Sequence, residues 1–244
     1  MAPQSWLRLD RFNYRHNLSR IRFHENFRMP ATQLKIDFVS DVVCPWCAVG
    51  LGALQQALQR LEGEIDAAVH FQPFELNPQM PAEGEDLVEH IAHKYGISPA
   101  QIAQNQEAIR QRGAEVGFVF NAQARRRIVN TFDAHRLLHW AGEQGKQREL
   151  KQALLRAYFT EGQDVSAHPV LLQLVEEVGL DVAQARELLQ GDQFAGEVRA
   201  QERFYQTQGI SAVPSVIVND RYLIQGGQPA AVFEETLRRI AAEN

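Results

Sequence analysis

The chain has 244 residues and a formal net charge of −5, with 45% hydrophobic and 23% charged residues. That composition excludes a disordered chain, and two cysteines are too few for a disulfide-stapled scaffold. No apolar run approaches the ~20 residues of a bilayer-crossing helix, and the mildly acidic balance argues against nucleic acid as a partner. Charge is uneven. Residues 1–33 hold six arginines against Asp10 and Glu25, a local +4, which leaves −9 on the remainder. Polar residues interrupt every apolar pair of this head, so it lacks the continuous hydrophobic stretch of a secretory signal. Residues 1–33 are therefore expected to be a disordered or misassigned leader, with Met29 as an alternative start.

The first β-rich segment is Leu34 to Ser40, and Asp41-Val42-Val43 leads from it into Cys44-Pro45-Trp46-Cys47. Helical spacing follows from Ala48 to Leu61, through Val49, Leu51, Leu54 and Leu58, with Gly63 as the stop. Ala67 to Leu76 reads as a second strand whose ladder Pro73 ends or bulges. From residue 84 to 208 helices dominate. The spacing predicts them over 86–95, from Pro99 behind a Ser98 cap to Val116, over 125–140, over 147–159, from His168 to Val178, from an Asp181 cap to Leu189, and from an Asp192 cap to Gln208. Strands return at 215–218 and 222–225 around the Asn219-Asp220 turn, and a last amphipathic helix covers 229–242. The order is β-α-β, helices, β-β-α. This predicts an α/β fold in which 34–80 and 209–244 build one mixed sheet, interrupted by an all-helical insertion at 81–208.

Both cysteines lie in Cys44-Pro45-Trp46-Cys47, between a strand and a helix. There the first cysteine meets unsatisfied backbone N–H groups and the positive end of the helix dipole, which favour thiolate over thiol. Pro45 suits the first turn, where a missing N–H costs nothing. Trp46 shields the pair without adding charge. Zinc would need four ligands, c-type haem would need His where Ala48 stands, and a structural bridge of so short a loop would gain little. A reactive dithiol fits best. No metal site is expected: His90-x-x-His93 and His135-x-x-x-His139 have helical ligand spacing but no further ligands beside them. Arg125-Arg126-Arg127 reads as a solvated helix start.

The second motif is Gly209-Ile210-Ser211-Ala212-Val213-Pro214, which runs directly into the 215–218 strand. With the dithiol it resembles the DsbA-like branch of the thioredoxin superfamily, and within that branch the FrnE type. Phe74-Glu75-Leu76-Asn77-Pro78 and Asn130-Thr131-Phe132-Asp133-Ala134-His135-Arg136-Leu137 are also similar to FrnE proteins. The resemblance spans about residues 34–244 and implies a thioredoxin fold split by helices. It also implies thiol–disulfide oxidoreductase or isomerase activity on protein or small thiol and disulfide substrates. It makes Cys44 the nucleophile, Cys47 the resolving thiol and Pro214 a cis-proline beside them. Pro45, Trp46, Val213 and His135 would contact substrate. Asp37, in a run like the Glu-Phe-Phe-Ser of DsbA but one residue further from the first cysteine, would accept the Cys47 proton. No resident cofactor is implied, with glutathione the candidate reductant, and a monomer or homodimer is expected. Exported relatives carry a signal peptide and a histidine inside the motif. This chain shows neither, so a cytoplasmic, less extreme oxidant than DsbA is expected. Rival readings are a glutathione-dependent isomerase or transferase of the kappa-class or 2-hydroxychromene-2-carboxylate isomerase type, which carries Ser-Pro-Tyr at the motif, and a redox-inactive chaperone-like binder.

Overall fold

The computed structural model describes residues 31–121 and 126–243. The expected leader lies, but for its last three residues, outside the described residues. The central sheet has the order β2-β1-β5-β6. Strand β1 (Thr32–Ser40) pairs in parallel with β2 (Ile65–Pro73) and antiparallel with β5 (Ser215–Val218), which pairs with β6 (Tyr222–Gln225). Strand β1 begins two residues before the expected Leu34. β2 stops at Pro73, where the missing N–H ends the ladder.

Alternation along β1 decides what lies on each side of the sheet. Leu34, Ile36 and Phe38 face the main core, where α1 (Pro45–Arg60) packs beside the C-terminal helix α9 (Ala230–Ala242) through Leu54, Phe233 and Leu237. Each such side chain, fully buried, stabilises the fold by about 1.5–3 kcal/mol. Val39 faces the other way, into a small cluster with Phe74, Tyr205 and Ile210.

The insertion comprises α2 (Leu87–Tyr95), α3 (Pro99–Glu115), α4 (Phe132–Glu143), α5 (Gln147–Arg156), α6 (His168–Glu177), α7 (Val182–Gln190) and α8 (Ala195–Thr207). Three expectations need correction. The predicted helix over 125–140 begins only at Phe132, because Arg127–Ile128 forms β4, a two-residue ribbon with β3 (Glu85–Asp86). Asn130 makes the break by accepting from the Phe132 N–H and donating to the Met80 carbonyl. Past Arg156 the chain widens into a π-turn over Ala157–Glu161 instead of staying α-helical to Phe159. Asp192 does not cap α8: Phe194, at φ 61°, is the cap residue, and the Asp192 carbonyl accepts from the Ala195 N–H.

The edge of β2 is closed by a side chain. Gln147 at the start of α5 donates to the Phe71 carbonyl and accepts from the Phe71 N–H, as a neighbouring strand would. This pins the helical insertion to the sheet beside the dithiol.

Candidate active site

Cys44 is the N-cap of α1 and Pro45 its first residue, with no acidic side chain in the first turn. Helix geometry brings Cys47 back beneath Cys44 within the first turn, where the Cys47 N–H donates to the Cys44 carbonyl at 3.1 Å. Cys47 is fully buried and Cys44 is 4% exposed, while Trp46 stands 39% exposed beside them. Burial, followed by contact with Cys44, pushes the Cys47 thiol well above its ordinary range.

The Val213–Pro214 peptide bond is cis. The Cys44 Sγ donates to the Val213 carbonyl at 3.6 Å, so the loop faces the first cysteine directly. Two hydrogen bonds fix that loop: Ser215 Oγ donates to the Ala212 carbonyl at 2.8 Å, and the Gly226 N–H to the Pro214 carbonyl at 2.8 Å. Its approach to α1 depends on glycine. A Cβ on Gly50 would stand 3.0 Å from Pro214 Cγ and 3.3 Å from Gly227 Cα.

Under the pair lies a buried polar group of which sequence reasoning named only His135. Asp41, Lys151 and His135 are all buried. Asp41 Oδ2 accepts from the Leu76 N–H at 2.8 Å, and Oδ1 lies 3.4 Å from His135 Nε2. Burial alone would raise the Asp41 carboxyl, but contact with His135 and the Leu76 N–H hold it below the usual carboxylate range. Lys151 is 1% exposed, and burial lowers its amine. The charges that oppose this are Cys47, Asp41 and Cys44, so the ammonium belongs to the dithiol's surroundings. Asp41 Oδ1, His135 Nε2 and Lys151 Nζ have no hydrogen-bond partner among the described residues. Two signals were available in the sequence. Asp41 is an acid in an apolar stretch three residues before Cys44, and Lys151 shares the apolar stripe of Leu154, Leu155 and Tyr158.

The expected site residues divide accordingly. Cys44, Pro45, Trp46, Cys47, Val213 and Pro214 come together. Asp37 does not join them: it lies on the face of β1 opposite α1, pairs with Lys35 Nζ at 3.0 Å and accepts from Gln72 Nε2 at 2.6 Å. His135 is buried behind the dithiol, with Nε2 toward Asp41. A second buried group adjoins it, in which Arg199 pairs with both Glu75 and Glu202. Burial and the Glu202 charge raise Glu75 to about 7 against the pull of Arg199. Among the described residues no cluster of three or more potential ligands could hold a metal, and no helix is long and apolar enough to cross a membrane.

Residues 35–238 match the model of the DSBA-like thioredoxin domain. The chain belongs to the DsbA-like thioredoxin family. YwbO of Bacillus subtilis strain 168, described as uncharacterized, is 30% identical over 203 residues, covering 83% of this chain and 94% of that protein. The structure of SCO1869 from Streptomyces coelicolor, described as a probable DsbA oxidoreductase, is similar with a TM-score of 0.82 at 30% identity, covering 86% of this chain and 91% of that one. The cytosolic disulfide reductase DsbM of Pseudomonas aeruginosa, solved with GSH, shares the fold with a TM-score of 0.56 at 19% identity, covering 84% and 99%. The DsbA-like family to which the chain belongs is one of thiol–disulfide oxidoreductases.

Proposed function

We propose that this protein exchanges disulfides with protein substrates through Cys44 and Cys47. One observation carries the reading: two thiols in the first turn of α1, the first facing the Val213 carbonyl. In the reducing direction the Cys44 thiolate attacks a substrate disulfide. A Cys44–substrate S–S bond forms and the substrate bond breaks, its electron pair leaving on the released sulfur. Cys47 then loses its proton and attacks Cys44 Sγ, forming the Cys44–Cys47 disulfide as the second substrate thiol departs. The reverse sequence oxidises a dithiol.

The buried Asp41 and Lys151, which act on each other electrostatically, are the groups we assign to the step that Cys47 finds hardest. Its thiol is raised by burial, so losing the proton requires a nearby base and a cation for the thiolate. Asp37, on the other face of β1 and engaged with Lys35 and Gln72, is not assigned this step. Glutathione is the co-reactant we assign for recycling, and DsbM, a fold neighbour, is described with GSH. No resident cofactor enters the scheme. A reducing compartment such as the cytoplasm suits a chain whose two cysteines are its working pair.

The test is equilibration of the purified protein in reduced and oxidised glutathione, with the Cys44–Cys47 disulfide followed by mass. A single two-electron transition, lost in Cys44→Ser, supports the reading. A protein that stays dithiol across the whole range contradicts it.

A further inference from the structure

The proton that Cys47 gives up is sealed beneath the dithiol. Cys47, Asp41, Lys151 and His135 are each at least 98% buried, so none of them hands a proton to solvent on the substrate side. A cavity of about 330 Å³ nevertheless lies on the far side of this group, between β2, α4 and α5. His135 and Lys151 form part of its wall, with Phe71 and Gln147 beside them, and it extends to the exposed Glu143.

Lys151 borders both compartments, but His135 is the wall residue that also reaches Asp41. Its Nε2 points at Asp41 Oδ1 across 3.4 Å, and the ring borders the cavity. An imidazole in that position can accept a proton on one nitrogen and release one from the other. We propose that His135 relays the Cys47 proton from the Lys151–Asp41 pair into the cavity behind the sheet, so that proton release is separated from the face where substrate docks.

The balance is as follows. Cys47 S–H gives its proton to the Lys151–Asp41 pair, and its thiolate forms the S–S bond to Cys44 while the Cys44–substrate S–S bond breaks. The electron pair of the broken bond leaves on the substrate sulfur. The proton on the pair moves through Asp41 Oδ1 to His135 Nε2, and the Nδ1 proton leaves to solvent in the cavity. Asp41, held below the usual carboxylate range, does not retain it. The titratable groups around His135 are Asp41 before α1, Lys151 of α5, His70 of β2, and His139 and Glu143 of its own helix α4. The inference rests on the dithiol exchange proposed above.

The experiment is single-turnover oxidation of the reduced protein by oxidised glutathione, followed by Trp46 fluorescence. At high glutathione disulfide the observed rate reaches a plateau set by the attack of Cys47. His135→Ala is expected to lower the plateau ~10-fold or more, and added imidazole, entering the enlarged cavity, to restore most of it. His135→Gln keeps the bulk but carries no proton, and should show the same loss without disturbing the fold. A wild-type plateau in H135Q overturns the relay, as does a folded H135A that is slowed but does not respond to imidazole. If the wild-type protein does not react with glutathione disulfide at all, the dithiol reading itself falls.

Discussion

Lys151 offers a direct test of how the buried group is balanced. Its side chain is 1% exposed, its Nζ has no hydrogen-bond partner among the described residues, and burial lowers its amine from the ordinary 10.5. Lys151→Met keeps the length and volume while removing the polar head. Asp41 stays buried in this variant, so the net change at neutral pH sets the relieved desolvation of the lysine against a carboxylate that has lost a nearby cation. Each kcal/mol raises Tm by roughly 2–4 °C in a chain of this length. The pH dependence has a definite sign. A lysine with a depressed folded value binds fewer protons folded than unfolded, so wild-type stability falls as pH drops below 10.5. The stability of K151M relative to wild type should therefore rise as pH falls from that value, by up to about 1.4 kcal/mol per pH unit, and level off below the folded pKa. Urea unfolding from pH 6 to about 10.5, in a Cys44→Ser/Cys47→Ser background so that no thiol titrates, measures it. With the cysteines restored, loss of the cation should make the disulfide less oxidising, by ~30 mV for each ~1.4 kcal/mol of thiolate stabilisation lost. A K151M protein whose stability relative to wild type is the same at every pH, and whose potential is unchanged, would refute the reasoning.

Other perturbations separate the parts of the site. Asp41→Asn should alter the pH profile of disulfide formation, whereas Asp37→Asn should leave it unchanged; the reverse pattern would return the proton role to β1. Gly50→Ala places a methyl 3.0 Å from Pro214 Cγ and should slow exchange by displacing the loop, measured as the rate with a model disulfide. Glu75 holds a proton in the folded state up to about pH 7 that an unfolded glutamate releases near 4.5. Stability should therefore fall as pH rises through that window, by ~2 kcal/mol after allowing for solvent and the Arg199 partner. Glu75→Gln should flatten this in urea titrations; a pH-independent wild type would contradict it.

Most of the fold was legible because its signals are local. Apolar alternation marked β1, and turn and cap chemistry placed α7, β5 and β6 within a residue or two, while α1 starts three residues before the expected Ala48. Two corrections, at Phe132 and Phe194, fall where a side chain or a positive φ competes with helical spacing, and spacing carries no record of either. The working cysteines and the Val213-Pro214 loop were readable because their chemistry is concentrated in short motifs. Lys151 was not, because a lysine on an apolar stripe reads as one that reaches past the core to water. Its place on the Leu154, Leu155 and Tyr158 stripe was a hint, but only its full burial and its electrostatic tie to Cys47, 104 positions earlier, establish it. Alternation along β1 places Asp37 on the face away from α1, which its resemblance to a motif run does not record.

Trapping with Cys47→Ser bears most directly on whether Cys44 and Cys47 act on protein disulfides. With the resolving thiol removed, substrates attacked by Cys44 remain attached through a disulfide. The expected result is a ladder of adducts on non-reducing gels that reductant dissolves and that Cys44→Ser/Cys47→Ser abolishes. Adducts that persist in the double serine variant, or none in Cys47→Ser cells, would contradict a dithiol that trades covalent bonds with protein partners.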